Sequence, residues 1–309
     1  MGLLMRVVVI GGINMDLVVE SSRMPRPGET LVGTRFFKTY GGKGANQATG
    51  IAKLGERALL VGRVGCDSFG EELRDGLNLH GVDTSQIKSD SSGSSGIAVI
   101  TIEPDGQNRI IQIPGVNDNC NNEELERTLR VLTEADVLML QLEVPAWVSI
   151  AAAKVARSLG KVVLFNPAPI KPFSEEIYSY IDYMTPNEVE AEALLGETIQ
   201  SMGSAANAAK KLLLPTMRAV IITLGESGAC FASHDTAGCV PGFPVKAVDT
   251  VGAGDAFNAA LVLGLASGDP IKKAMIRANA AGALAVTKPG AQESMPLLVE
   301  LDSYMSDNT

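Results

Sequence analysis

The chain has 309 residues, 46% hydrophobic and 20% charged, which suits a soluble globular protein of one large α/β domain or two smaller ones, with ample chain for a core. A net charge of −9 argues against a basic surface for nucleic acid or anionic membrane, and an aromatic content of 5% argues against a base-stacking platform. Four cysteines (Cys66, Cys120, Cys230 and Cys239) and two histidines show no zinc or iron–sulfur spacing, so they read as reduced, mostly buried thiols of a cytoplasmic protein.

The opening "MGLLMRVVVIGG" is too short to span a membrane and lacks a secretory signal pattern. Arg6 stands where a myristoylation signal on Gly2 needs Ser or Thr. "RVVVI" at 6–10 reads as a buried first strand. At its C-terminal edge follows "GGINMD", in which Asn14 and Asp16 form either an Asx turn or part of the ligand face of an open sheet. Residues 14–40 alternate and turn without a convincing helix. "GGKGANQA" at 41–48 fails the test for a phosphate-binding P-loop: Phe37 stands where the first glycine should be, and Gly44 where Ser or Thr should be. The Gly42–Lys43 loop instead opens a helix marked by Ala45, Ala48 and Ala52 and ended by Gly55. It is either a turn that needs glycine for its backbone or a site for a polar or anionic small molecule.

Further along, "ALLVGRV" at 58–64 is the next apolar strand, and Ser/Gly-rich "SDSSGSSG" at 89–96 reads as a mobile loop. "GIAVITIEPDGQNRIIQI" reads as two strands around a Pro-Asp-Gly turn. With residues 14–40, the stretch of about 96–113 predicts a small antiparallel sheet beside the main domain. Strands at 136–140, 161–165 and 218–223 alternate with helices at 122–133, 147–159 and 203–214, the pattern of a mostly parallel sheet covered on both faces. Helices at 254–267, 270–286 and 296–305 complete the chain.

Three later stretches carry chemistry. In "TPNEVEAE", Asn187 and Glu190 are spaced for a capping box or for a polar pair near phosphates and Mg²⁺. In "ITLGESGA", Gly225 and Gly228 after Thr223 make a hairpin-like turn or let a nucleotide approach the backbone. In "DTVGAGDAFNAAL", Gly252, Ala253 and Gly254 precede a helix and leave N–H groups free for an anion. Asp255 follows them, either complementing the helix dipole or acting as a base beside that anion hole.

The ordered set "GGINMD", "GGKGANQA", "LQLEVP", "FNPAP", "TPNEVEAE", "ITLGESG" and "DTVGAGDAFNAA", continuing to "VTKPGAQESMP", resembles the ribokinase-like (PfkB) carbohydrate kinases over nearly the whole chain. The resemblance implies a single three-layer αβα, Rossmann-like domain over 1–309, with a β-sheet lid from about 14–40 and 96–113. It implies transfer of phosphate from ATP to the 5-hydroxyl of D-ribose. On that resemblance Asn14, Asp16, Gly42, Lys43, Asn46 and Glu143 hold the sugar. Asp255 is the catalytic base, with Gly252, Ala253 and Gly254 as the anion hole. Asn187, Thr223, Gly225, Gly228, Gly254 and Asn279 serve ATP, and Glu190 serves the Mg²⁺ region. A K⁺ site falls on Asp249, Val251, Ala285, Lys288, Gly290 and Ser294, and a homodimer forms through the lid.

Asn279 departs from the His of many members, and Met15 stands where smaller residues are common. The alternatives are a kinase for deoxyribose, fructose or a nucleoside, and a non-catalytic sugar sensor. A dinucleotide-binding oxidoreductase fails because no G-x-G-x-x-G follows the first strand.

Overall fold

The computed structural model describes residues 4–104 and 108–308. Gly2, and Asp105 and Gly106 of the expected Pro-Asp-Gly turn, lie outside the described residues. The first half of the chain gives β1 (Arg6–Ile10), β2 (Asn14–Glu20), β3 (Arg35–Gly41), α1 (Lys43–Lys53), β4 (Arg57–Gly65), α2 (Ser68–Leu79), β5 (Ile87–Asp90), β6 (Gly96–Ile102), β7 (Asn108–Ile113), α3 (Asn122–Leu132), β8 (Val137–Leu140) and α4 (Ala146–Ser158). The second half gives β9 (Val162–Phe165), β10 (Tyr183–Met184), α5 (Glu188–Leu195), α6 (Met202–Leu212), β11 (Ala219–Thr223), β12 (Ala229–Ser233), β13 (Ala237–Val240), α7 (Ala253–Ala266), α8 (Ile271–Ala285) and α9 (Leu298–Asn308).

Nine strands form one sheet in the order β13-β12-β11-β10-β9-β8-β1-β4-β5. The pairs from β5 to β11 run parallel, and β12 and β13 add an antiparallel edge. The apolar runs explain the middle position of β1. Val7 and Val9 point into one core, among α1, α2, α7, α8 and α9, while Val8 and Ile10 point into the other, among α3 to α6. Each such side chain contributes roughly 1.5–3 kcal/mol by leaving water, so a strand apolar on both faces belongs inside a three-layer stack. Sheet order reverses at β1, with β4 on one side and β8 on the other. A crevice therefore opens outside the carboxyl ends of β1 and β8, where open α/β sheets hold their ligands.

A second sheet, ordered β3-β2-β6-β7, stands over that crevice as a lid. Its outer pairs are antiparallel as expected, whereas the central pair β2–β6 is parallel, aligning Asn14 with Gly96 and Asp16 with Ala98. Two separate excursions of the chain meet there, each a local antiparallel pair, and both leave the body in the same direction. The period-2 alternation puts Asn14 and Asp16 on the cavity side. Met15 between them points into the main core, fully buried, which accounts for a large apolar residue at that position. The Ser/Gly-rich loop after β5 has defined partners: Asp90 accepts from Ser92, and Asp67 accepts from Ser95.

The expectation of uniformly reduced thiols is corrected. Cys230 and Cys239 lie directly opposite each other on β12 and β13 and form a disulfide, while Cys66 is an exposed thiol and Cys120 a buried one. The short, small-residue strand "AGCV" makes this pairing, and its composition gave no strand signal in the sequence.

Arg63 of β4 is a buried cation inside the body. Its guanidinium, 4% exposed, binds Asp90 and the fully buried Glu124, each at 2.7 Å, and so ties β4 to β5 and α3. Removing the cation leaves the fully buried Glu124 without its ion partner, held among the described residues only by the Asn121 N–H at 2.8 Å. Arg63→Ala is therefore expected to destabilise the protein by about 3–5 kcal/mol in denaturant unfolding. A loss below about 1 kcal/mol would show that the network adds little.

Candidate active site

The glycine-rich segment and α1 set the floor of the crevice. Gly42 is the N-cap of α1 with φ 91°, and a Cβ there would stand 2.6 Å from the Gly12 carbonyl oxygen. Only glycine lets the helix start so close to the end of β1. The N–H of Lys43 then donates to Glu143 Oε2 at 2.6 Å, just beyond β8. The other oxygen, Oε1, accepts from Gln112 Nε2 at 2.9 Å and, longer, from Asn14 Nδ2 at 3.4 Å. Asn14 is oriented from behind by Asn117, whose Nδ2 donates to Asn14 Oδ1 at 2.9 Å and to the carbonyls of Ile13 and Pro114. Asp16 is 6% exposed, and its carboxylate accepts no hydrogen bond among the described residues.

On the opposite wall, α7 packs against α1. Asp255, in the first turn of α7, accepts from Asn46 Nδ2 and Gln47 Nε2, both at 2.9 Å. Gln47 is itself held by Gln141 Nε2 at 2.6 Å, and its Nε2 also reaches Asn166 Oδ1 at 3.3 Å. Gly252 caps this helix with φ 80° and no side-chain hydrogen bond. The N–H groups of Gly254 and Asp255 have no acceptor among the described residues, while those of Ala253 and Ala256 fold back on Thr250 and Gly252. Two free amides beside a helix N-terminus make an anion site next to a buried carboxylate.

Asn14, Asp16, Gly42, Lys43, Asn46, Glu143, Asn187, Glu190, Thr223, Val251, Gly252, Gly254 and Asp255 thus line one cavity of about 460 Å³. The other expected positions lie apart from its lining. Gly225 begins the turn after β11, and Gly228 packs against the backbone of 240–242. Asn279 gives its amide hydrogens to the carbonyls of Val240 and Pro241, at 3.1 and 3.0 Å, so this group forms a cluster beyond β11. Asn187 and Glu190 form the capping box of α5, in which Glu190 Oε2 accepts from the Asn187 N–H at 2.8 Å. Asp249 draws two loops together by accepting from the N–H groups of Val251 and Gly290. Around it, the Ala285 carbonyl accepts from Lys288 N–H, the Lys288 ammonium pairs with Glu300, and Ser294 Oγ donates to Ala291.

Sequence reasoning missed Gln47, Gln112, Asn117, Gln141 and Asn166. Three of these were visible inside "GGKGANQA", "LQLEVP" and "FNPAP", but each takes its partner from a distant segment.

Electrostatics follows from burial. Desolvation raises the pKa of Glu143, Glu190 and Asp255, and Lys43 only partly offsets it. Burial opposes the Lys43 ammonium, yet Asp255, Glu143 and Glu190 outweigh it and keep the lysine above its ordinary value. Asp16 is pushed up to about 7, first by burial and then by Glu143 and its carboxylate neighbours.

Comparison with known proteins gives a consistent result. The model of the pfkB family of carbohydrate kinases matches residues 5–298. A ribokinase of Haemophilus influenzae is 36% identical over 297 residues, covering 96% of this chain and 97% of that protein. A deoxyribokinase of Salmonella typhimurium is 34% identical, covering 98% of this chain and all of that protein. The structure of Arabidopsis thaliana ribokinase complexed with ribose and ATP superimposes with a TM-score of 0.89 at 30% identity, covering 98% of this chain and 99% of that one.

The raised pKa of Asp16 has a measurable consequence for the ligand-free protein. The folded state favours the protonated acid, so this group's contribution to stability is full below about pH 4 and is lost as pH rises through about 7. Asp16→Asn removes that loss. The variant is expected to gain stability over the parent between pH 4 and 8, by about 4 kcal/mol at most, in denaturant unfolding at each pH. A stability difference independent of pH would refute the shift.

Proposed function

Because the chain belongs to the pfkB family of carbohydrate kinases, we propose that it transfers the γ-phosphoryl group of ATP to the 5-hydroxyl of D-ribose. One observation supports this above all: a buried carboxylate, Asp255, stands beside two free backbone amides in the same cavity as a set of hydroxyl-binding groups. Phosphoryl transfer asks for positioning and charge stabilisation more than for covalent chemistry. Asn14, Asp16, Gly42, Lys43, Asn46 and Glu143 hold the sugar through convergent amide and carboxylate partners. The 5-hydroxyl passes its proton to Asp255 as its oxygen bonds to the γ-phosphorus. The bond from that phosphorus to the bridging oxygen breaks, and ADP leaves. Burial makes the Asp255 carboxylate a stronger base than an exposed aspartate, while Asn46 and Gln47 fix its direction. The amides after Gly252 receive charge on the transferring group, and the Lys43 ammonium adds to that field.

ATP runs from this anion site past Asn187 and Thr223 toward Gly225, Gly228 and Asn279. Mg²⁺, when bound with ATP, supplies charge neutralisation at the phosphates. Glu190 fits its neighbourhood because one carboxylate oxygen is held by the capping box and the other has no protein donor among the described residues. A K⁺ site at 249–251 and 285–294 fits a different donor set. The carbonyls of Asp249, Val251, Lys288 and Gly290 accept no hydrogen bond among the described residues, and Asp249 holds the two loops in register.

The lid leaves Phe36, Ile111 and Ile113 exposed on the face turned away from the cavity, which supports pairing of two lids in a homodimer. No helix among the described residues is long and apolar enough to cross a membrane, and the use of ATP favours a cytoplasmic site of action. Deoxyribose is the second reading, favoured by the similarity to a deoxyribokinase.

Two measurements test the proposal. ADP release with Mg·ATP and K⁺ should favour D-ribose over 2-deoxyribose, fructose and adenosine, and Asp255→Asn should lower kcat by about 10²–10⁴-fold while the fold persists by circular dichroism. A preference for another substrate reassigns the sugar contacts, and near-normal turnover of the variant removes Asp255 as base. Separately, K⁺ should activate more than Na⁺ at equal ionic strength. Equal rates would discard the cation site.

A further inference from the structure

The lid strands β6 and β7 contribute Ala98, Ile100, Ile110 and Gln112 to the cavity wall. Three of these are apolar and set shape. Gln112 is the one polar group among them, and it occupies the face on which the register places Ala98 opposite it and Ile100 opposite Ile110. Its Nε2 crosses from the lid to the body and donates to Glu143 Oε1 at 2.9 Å. Its amide oxygen accepts nothing from the described residues. Asn14 flanks the same carboxylate oxygen from the other side. The result is an amide–carboxylate–amide row whose members come from β2, from the segment after β8 and from β7.

We propose that Gln112 is a specificity-determining residue of the sugar site. The inference rests on the sugar-kinase reading above. A carboxylate alone accepts hydrogen bonds but offers none. With an amide beside it, the row presents both a donor and an acceptor to one hydroxyl of the substrate. Gln112 also fixes the rotamer of Glu143, so the acceptor is already aimed when the sugar arrives. A substrate lacking that hydroxyl leaves the amide and the carboxylate facing empty space, and sites built on such bonds reject the deoxy analogue strongly. Because the donor rides on the lid, this discrimination is made only when lid and body meet.

The test uses the full-length enzyme with saturating Mg·ATP and K⁺. kcat/KM is measured for D-ribose and for analogues lacking the hydroxyl at C1, C2 or C3, with the parent enzyme, Gln112→Ile and Gln112→Glu. Gln112 is exposed on the lid and Glu143 keeps the Lys43 N–H and Asn14 without it, so Gln112→Ile is expected to fold, and a melting curve of each variant checks this. Loss of one particular hydroxyl should cost the parent about 10-fold more in kcat/KM than it costs Gln112→Ile. For D-ribose the Ile variant should show its loss in KM, with kcat changed by less than about threefold. Gln112→Glu cannot donate to Glu143 and sets a second carboxylate against it, so it should lose the same selectivity and bind ribose more weakly still. If every deoxy analogue is penalised equally in parent and Ile variant while ribose remains a good substrate, the inference is overturned and the kinase reading stands. Absence of turnover of ribose and all analogues by the parent overturns that reading and this inference with it.

Discussion

The cavity holds more buried negative charge than its one lysine can balance. Asp16, Glu143, Glu190 and Asp255 all line it, and Lys43 is the cation that Glu143, Glu190 and Asp255 share. Carboxylates taken out of water are costly unless something hydrogen-bonds them. Most of that work falls to neutral amides: Asn46 and Gln47 on Asp255, Asn14 and Gln112 on Glu143, and backbone N–H groups on Glu143 and Glu190. This arrangement explains why α1 must start against β1, why α7 must pack against α1, and why two excursions of the chain must return to one place. Each movement delivers a donor to a carboxylate that would otherwise be stranded. Asp16 is the exception, since no donor among the described residues serves it and burial pushes its pKa up to about 7.

The division of labour follows the layers. The body fixes Asp255 and the free amides of α7, because helix N-termini and strand ends in a packed stack are rigid. The lid strands β6 and β7 supply Ala98, Ile100, Ile110 and Gln112 to the cavity wall, which on the proposed reading face the outer hydroxyls of the sugar. An arrangement of this kind separates the chemistry, which needs fixed geometry, from recognition, which needs a site open enough to load.

Much of this was legible in the sequence, for identifiable reasons. Continuous apolar runs marked β1, β4, β8, β9 and β11, since strands buried on both faces have no polar side to confuse the pattern. Glycines flagged the turns at 41–44 and 252–254 because tight backbone geometry leaves few other residues. What stayed hidden was non-local. Gln47 looks like an ordinary polar residue of α1 until Asp255, more than two hundred positions away, is set against it. The parallel junction of β2 with β6 is likewise a pairing between segments about eighty residues apart, and local alternation carries no record of direction. The Cys230–Cys239 bond depended on recognising β13, four small residues with no hydrophobic signature. The pairing of the Asn279 amide hydrogens with the backbone of 240–241 is likewise one that no motif names.

Asn117 has a consequence beyond orienting Asn14. The chain crosses between body and lid four times, and three of those crossings converge on this one buried side chain. It binds both backbone groups of Ile13, where the first excursion leaves, and the carbonyl of Pro114, where the second returns. At Gly96, where the second excursion leaves, a Cβ would lie 2.2 Å from Asn117 Nδ2. Three of the four lid strands, β2, β6 and β7, are therefore pinned to the body at one buried side chain, so any change that displaces Asn117 acts at once on both excursions and on Asn14 at the cavity wall.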